Sequence, residues 1–187
     1  MEQNQRTATI YTDGSCLLHK GNQGGWAFLA IKDGTCWQGS GGKENTNSDE
    51  MELEAVIRAL ESLGKDRHIV TIFSDSQYIC SSFPEPRLIE RIEGGQSKRV
   101  QKDAWVTLLH LCAKHSVRFV WIKGHAENQW NILVDALART AAEKVRLDTA
   151  NSKIKGRGSS WSKRDPKVID YRRRKSRLKR DAYLEYA

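Results

Sequence analysis

Four acidic residues in four separate segments carry the chemistry open to this chain: Asp13 in TIYTDGSC, Glu52 in DEMELEAVIRAL, Asp75 in TIFSDSQY and Asp135 in NILVDALA. Asp13 and Asp75 end apolar strand-like runs, whereas Glu52 and Asp135 sit among helical apolar repeats. A compact fold could bring all four carboxylates to one rim. Held together, they repel one another unless a hard cation neutralises them. An oxygen-only ligand set suits Mg²⁺ or Mn²⁺, and paired ions about 3.5–4 Å apart form the clamp for in-line attack on a phosphodiester. Each acid alone reads more simply as a solvated turn or helix residue, and a lone DGS carries no site. The weight lies in the whole constellation, its neighbours and its order along the chain.

Those positions need elements to hold them. Residues 8 to 11 read as a strand ending at Asp13, and after the Gly24-Gly25 pair residues 26 to 31 and 35 to 40 read as two more. The turn Lys32-Asp33-Gly34 joins the last two as a hairpin. Leu53, Val56, Ile57 and Leu60 follow the spacing of an amphipathic helix, which puts Glu52 at its start. Asp49 and Glu50 then read as solvated acids favoured by the helix dipole. Residues 68 to 73 form a buried strand delivering Asp75. Trp105, Leu108, Leu109 and Cys112 mark another helix, and residues 117 to 122 a further strand. Val134, Leu137, Ala138, Ala141 and Val145 mark a last helix carrying Asp135 near its first turn. Three consecutive strands followed by alternating helices and strands predict an α/β protein with a mixed sheet of about five strands.

At 187 residues and 39% hydrophobic content, the chain can build one full core and carry an appendage. Cys16, Cys36, Cys80 and Cys112 are scattered, with no CxxC pair, so reduced thiols are expected and neither a disulfide framework nor a zinc site. No apolar run reaches transmembrane length, and the N-terminus lacks a signal or transit pattern. The expectation is a soluble cytoplasmic protein with no membrane partner. Of the net charge of +8, residues 151 to 187 hold 13 Lys and Arg against 4 Asp and Glu, leaving 18 against 19 in residues 1 to 150. A cationic tail on a near-neutral domain is the electrostatic footprint for contact with a polyanion.

Taken in order, TDGSC, MEL, SDSQY, WIKGH and a final Asp opening an ALA helix resemble the type 1 ribonuclease H family, over about residues 7 to 145. The resemblance implies an RNase H-like α/β fold: three antiparallel strands, then parallel ones, with flanking helices. It implies a catalytic domain over residues 1 to 148 that cuts the RNA strand of RNA/DNA hybrids endonucleolytically, leaving 5′-phosphate and 3′-hydroxyl ends. Asp13, Glu52, Asp75 and Asp135 would hold two Mg²⁺, with Mn²⁺ as a substitute, in a monomer. His125 in the KGH segment would assist proton transfer or product departure. Ser15 and Cys16 would meet the RNA 2′-hydroxyl, Ser76 and Gln77 would touch the hybrid from the minor groove, and Asn47 and Ser48 would cradle nucleic-acid backbone. Trp105 keeps a family substrate position, although its spacing with Leu108 and Leu109 equally suits the core. A nuclease of the same fold acting on DNA, and a hybrid-binding module without chemistry, are the alternatives.

Two departures stand out. Longer family members grip the DNA strand with a basic, Trp-rich helix and loop, whereas residues 83 to 103 here hold 5 basic and 4 acidic residues and one aromatic, Phe83. Residues 149 to 187 have no family counterpart. Their first half has linker composition, and beyond Pro166 lie seven Lys and Arg between Arg172 and Arg180. This tail reads as a nucleic-acid contact, with protein docking, a nuclear localisation signal or disorder as alternatives.

Overall fold

Strand β1 (Thr7–Leu17) runs through the middle of a five-stranded sheet in the computed structural model, which describes residues 6–17, 21–82, 99–124 and 128–155. On one side β1 pairs antiparallel with β2 (Gln23–Lys32), which pairs antiparallel with β3 (Thr35–Lys43). On the other side it pairs parallel with β4 (Ile69–Ser74), which pairs parallel with β5 (Ser116–Trp121). The order is β3-β2-β1-β4-β5, the mixed sheet that the strand alternation implies. Helices α1 (Ser48–Ser62), α2 (Gln77–Cys80), α3 (Arg99–Lys114) and α4 (Gln129–Lys155) complete the described elements.

The β2–β3 hairpin turns on Asp33 and Gly34, both at positive φ (49° and 70°), the geometry that a two-residue Asp-Gly loop adopts because it matches the strand twist. Helix α1 starts at Asn47, whose side chain accepts from Glu50 N at 2.9 Å in the manner of an N-cap. Its buried stripe of Leu53, Val56 and Leu60 packs with Ile10 and Phe28 of the sheet and with Trp105 and Leu108 of α3. A second cluster sets Val134 and Ala138 of α4 against Ala27 and Leu29 of β2, with Tyr11 and Trp130 at its margin. Sheet and helices thus form a layered core.

Helix α4 lies on β2 with almost no space between the backbones. A Cβ on Gly25 would sit 2.1 Å from Ala138 O and 2.4 Å from Ala142 N, so only glycine allows the contact. That contact sets the height of α4, and hence of Asp135, over the sheet.

Two boundaries differ most from the sequence expectation. Strand β1 does not stop near Asp13: its antiparallel pairing with β2 continues to Leu17↔Gln23. The polar run Thr12-Asp13-Gly14-Ser15-Cys16 hides a strand whose hydrogen-bond partner supplies what its side chains do not. Helix α4 continues through Lys155, so residues 149 to 155 are helix rather than linker. Thr149 ties the extension down, donating to Glu44 Oε1 at 2.6 Å and to Val145 O at 2.8 Å. The four cysteines are free, and burial pushes the Cys80 and Cys112 thiols up to about 11 and about 12, which keeps them protonated and unreactive. No helix among the described residues is long and apolar enough to cross a membrane.

Candidate active site

Parallel pairing between β1 and β4 ends at the rung Thr12↔Ser74. The residue after that rung in each segment is an aspartate, Asp13 and Asp75, so the two follow the last parallel rung together, at the edge where open sheets expose rigidly held side chains. Gly14 follows Asp13, and a Cβ there would lie 2.2 Å from Glu52 N and 2.5 Å from Met51 C. Its absence lets the first turns of α1 press on β1, which brings Glu52 to Asp13. Beyond Asp75 the chain turns sharply, with Ser76 capping α2 by accepting from Ile79 N at 3.4 Å.

Asp13, Glu52 and Asp75 each offer a carboxylate oxygen, and all three lie within 4.8 Å of one another. Asp13 and Glu52 are buried, and Asp75 is partly exposed. Asp135 stands apart from this group. It is half-buried in the second turn of α4, its Oδ1 accepts from Arg139 Nε at 2.9 Å, and its charge is still felt at Asp13. The structure thus brings three of the four expected acids into one cluster and leaves the fourth on its rim.

The cluster is electrostatically uncomfortable. Burial first, then the charges of Asp75 and Asp135, push the Asp13 carboxyl up to about 7. Burial, with Asp13 and Asp75, pushes Glu52 well above the carboxylate range, and a hydrogen bond between Glu52 and Asp13 favours the proton on Glu52. Glu52 Oε2 is buried with no hydrogen-bond partner among the described residues. A lone buried carboxylate oxygen is costly to leave so, and a hard divalent cation answers both the repulsion and the orphaned oxygen. The donor set therefore fits Mg²⁺ or Mn²⁺.

Two residues that the sequence reading passed over hold Asp75. Asn131 Nδ2 donates to Asp75 Oδ2 at 3.3 Å, and Trp121 Nε1 donates to Asp75 O at 3.1 Å. The signal for Asn131 was its position four residues before Asp135, on the same face of α4.

The remaining expected site residues fall into three groups. His125 lies outside the described residues. Ser15 is half-buried on β1 opposite Gly25, Cys16 Sγ donates to Thr46 O at 3.4 Å, Ser48 and Gln77 are exposed, and Ser76 caps α2. Asn47 caps α1 and also donates to Glu50 Oε1 at 3.4 Å, while Glu50 Oε2 takes Thr46 Oγ1 at 2.8 Å and Lys43 Nζ at 3.2 Å. Trp105 is a correction. It is wholly buried beside Leu108 and donates through Nε1 to Tyr78 Oη at 3.0 Å, so it is a core residue and cannot touch a substrate.

Comparison with known proteins agrees with this geometry. The RNase H family model matches residues 5–143. A ribonuclease H of Nitratidesulfovibrio vulgaris (strain DP4) is 38% identical over 148 residues, covering 76% of this chain and 94% of the relative. One from Thermoanaerobacter sp. (strain X514) is 35% identical over 154 residues, covering 80% and 96%. Among solved structures, LC9-RNase H1, a type 1 RNase H with the type 2 active-site motif, matches with a TM-score of 0.66 at 23% identity over 77% of this chain and 75% of that one. LC11-RNase H1 in complex with RNA/DNA hybrid matches with a TM-score of 0.56 at 22% identity over 74% and 98%. These structural likenesses show the fold.

Proposed function

Because this chain belongs to the RNase H family of RNA-hydrolysing nucleases, we propose that it cuts the RNA strand of RNA/DNA hybrids endonucleolytically and leaves 5′-phosphate and 3′-hydroxyl ends. The observation that carries the reading is the trio Asp13, Glu52 and Asp75, with oxygens within 4.8 Å of one another and with the buried Asp13 and Glu52 carboxyl groups pushed upward. With Asp135 they would hold two Mg²⁺ ions. The chemistry such ions supply when bound is activation of the attacking water and stabilisation of the leaving 3′-oxygen.

The chain's own residues do the remaining work. Burial of Asp13 and Glu52 gives the site low-dielectric walls, in which fixed charges act more strongly than in water. Asp135, half-buried, shares its charge with Arg139 at 2.9 Å. His125 would move a proton at the site's margin, and Ser15 and Cys16 would meet the 2′-hydroxyl that distinguishes RNA from DNA. A related fold is known in complex with an RNA/DNA hybrid, which supports this class of partner.

The deciding experiment incubates labelled hybrid, duplex DNA and duplex RNA with and without Mg²⁺. Cleavage of the hybrid's RNA strand alone, and only with the ion, is expected. Cutting of duplex DNA would replace the reading with a DNA nuclease of the same fold, and hybrid binding without cutting would leave a binding module.

Two substitutions probe the rim. Asp135→Asn should slow cleavage by less than the roughly 10³-fold expected for loss of a central acid, because Asp135 lies outside the trio within 4.8 Å and shares its charge with Arg139. Single-turnover rates check this ordering. Glu50→Gln tests the expected backbone cradle. The Glu50 carboxylate now occupies donors of Thr46, Asn47 and Lys43 that a phosphate would need. Gln serves equally at the third helical position, so the cap should survive. Removing the charge should tighten hybrid binding a few-fold at low salt, in line with roughly 1 kcal/mol for a single charge pair near the surface. Unchanged binding would place the hybrid away from this end of α1.

A further inference from the structure

We propose that Asn131 and Trp121 form a two-point clamp that positions Asp75 for metal binding, an inference that rests on the metal reading above. In the absence of a cation, Asp75 faces two other acids within 4.8 Å, and repulsion would push its side chain outward. Nothing about Asp75 itself resists this, because it lies in the turn between β4 and α2 rather than inside either element. Resistance comes from two neutral donors on later parts of the chain. The indole of Trp121, at the end of β5, donates to the Asp75 carbonyl at 3.1 Å and fixes the backbone of the turn. The amide of Asn131, in the first turn of α4, donates to Oδ2 at 3.3 Å and fixes the plane of the carboxylate.

Asn131 is only 2% exposed, and its Oδ1 is buried without a partner among the described residues. A buried side chain that forgoes one hydrogen bond to make another is held there for the bond it makes. Gly124 closes the same oxygen from a third side, since a Cβ there would come within 2.6 Å of Asp75 Oδ2. Trp121 is 48% exposed, far more than burial of an indole for its own sake would leave. Both are therefore positioning residues: they act on the metal site through Asp75. Partners of this kind typically alter metal affinity 10–100-fold.

The test measures Mn²⁺ binding to the full chain without nucleic acid, by calorimetry and by the loss of free-ion electron paramagnetic resonance signal, alongside the melting temperature. Asn131→Leu keeps the volume and removes the donor; Trp121→Phe keeps a ring and removes the other. Each variant should bind Mn²⁺ about 10–100-fold more weakly with its metal-free melting temperature little changed. Because Trp121 is exposed, Trp121→Phe remains folded even if Asn131→Leu does not. Wild-type affinity in either folded variant would overturn the clamp while leaving the metal reading intact. Failure of the wild-type protein to bind Mn²⁺ would overturn both.

Discussion

Asp13→Asn is expected to lower hybrid cleavage by at least about 10³-fold, as loss of one member of a site that acts as a unit does, and to stabilise the metal-free fold. Activity falls because Asp13 is a buried acid whose carboxylate lies within 4.8 Å of both Glu52 and Asp75, so its charge is central to what a bound cation would meet. Stability rises for the same reason. The folded chain holds the Asp13 proton up to about pH 7, against an ordinary value of 3.8. Between those values the unfolded chain has released a proton that the folded chain keeps, so each step upward in pH favours unfolding. The stabilising contribution is complete below the lower value and lost above the higher one. Asparagine does not ionise. The difference in melting temperature between variant and wild type should therefore be absent near pH 4, open through the window and be largest above pH 7. A gap of several degrees is expected, since about 1 kcal/mol moves a domain of this size by 2–4 °C. Adding Mg²⁺ should raise the wild type and close the gap, because a ligand of the native state stabilises by mass action. A folded Asp13→Asn protein that cuts hybrid at the wild-type rate would refute the site, and a pH-independent gap would refute its electrostatics.

Deletion of residues 156–187 should produce the second large effect, on binding rather than chemistry. Residues 156 to 187 carry 11 Lys and Arg against 4 Asp and Glu, and the rest of the chain, with 20 against 19, is close to neutral. The segment from 83 to 103 offers little basic excess to replace them. If the tail neutralises hybrid phosphates, log K falls against log salt by about 0.9 for each one on B-form duplexes, with hybrids behaving similarly. Truncation should weaken hybrid binding at low salt and flatten that slope by several units. Cleavage at saturating hybrid should persist, because α4 keeps Asp135 and the other three acids lie earlier still. Affinity measured against salt for both proteins decides the matter: equal slopes would assign the tail to a protein partner or to targeting.

Much of the sheet could be read from the chain because its strands are apolar where they cross the core. Ile10, Leu29, Val70 and Ile72 are all almost wholly buried, and the hairpin announced itself through Asp33-Gly34. The site acids were legible from their place beside those runs. Other features were invisible for physical reasons. The outer half of β1 is polar because the β2 backbone, not a core, satisfies it, so hydrophobic pattern stops before the strand does. Trp105 satisfied a substrate motif and a core spacing at once, and only its complete burial separates them. Asn131 and Trp121 touch Asp75 through long-range contacts, of which the spacing of Asn131 from Asp135 is the one local hint.

Those long-range contacts span 46 and 56 residues of chain, always forward from Asp75. Synthesis runs in one direction, and the N-terminal part of a domain is exposed first. A half-made polypeptide that carries Asp13, Glu52 and Asp75 but lacks β5 and α4 has neither of the donors that Asp75 bonds in the finished fold. Beneath them, Ala27 and Leu29 still wait for their cover. The third acid thus gains its Asn131 partner only when the closing helix docks on Gly25, the last step that the order of synthesis allows.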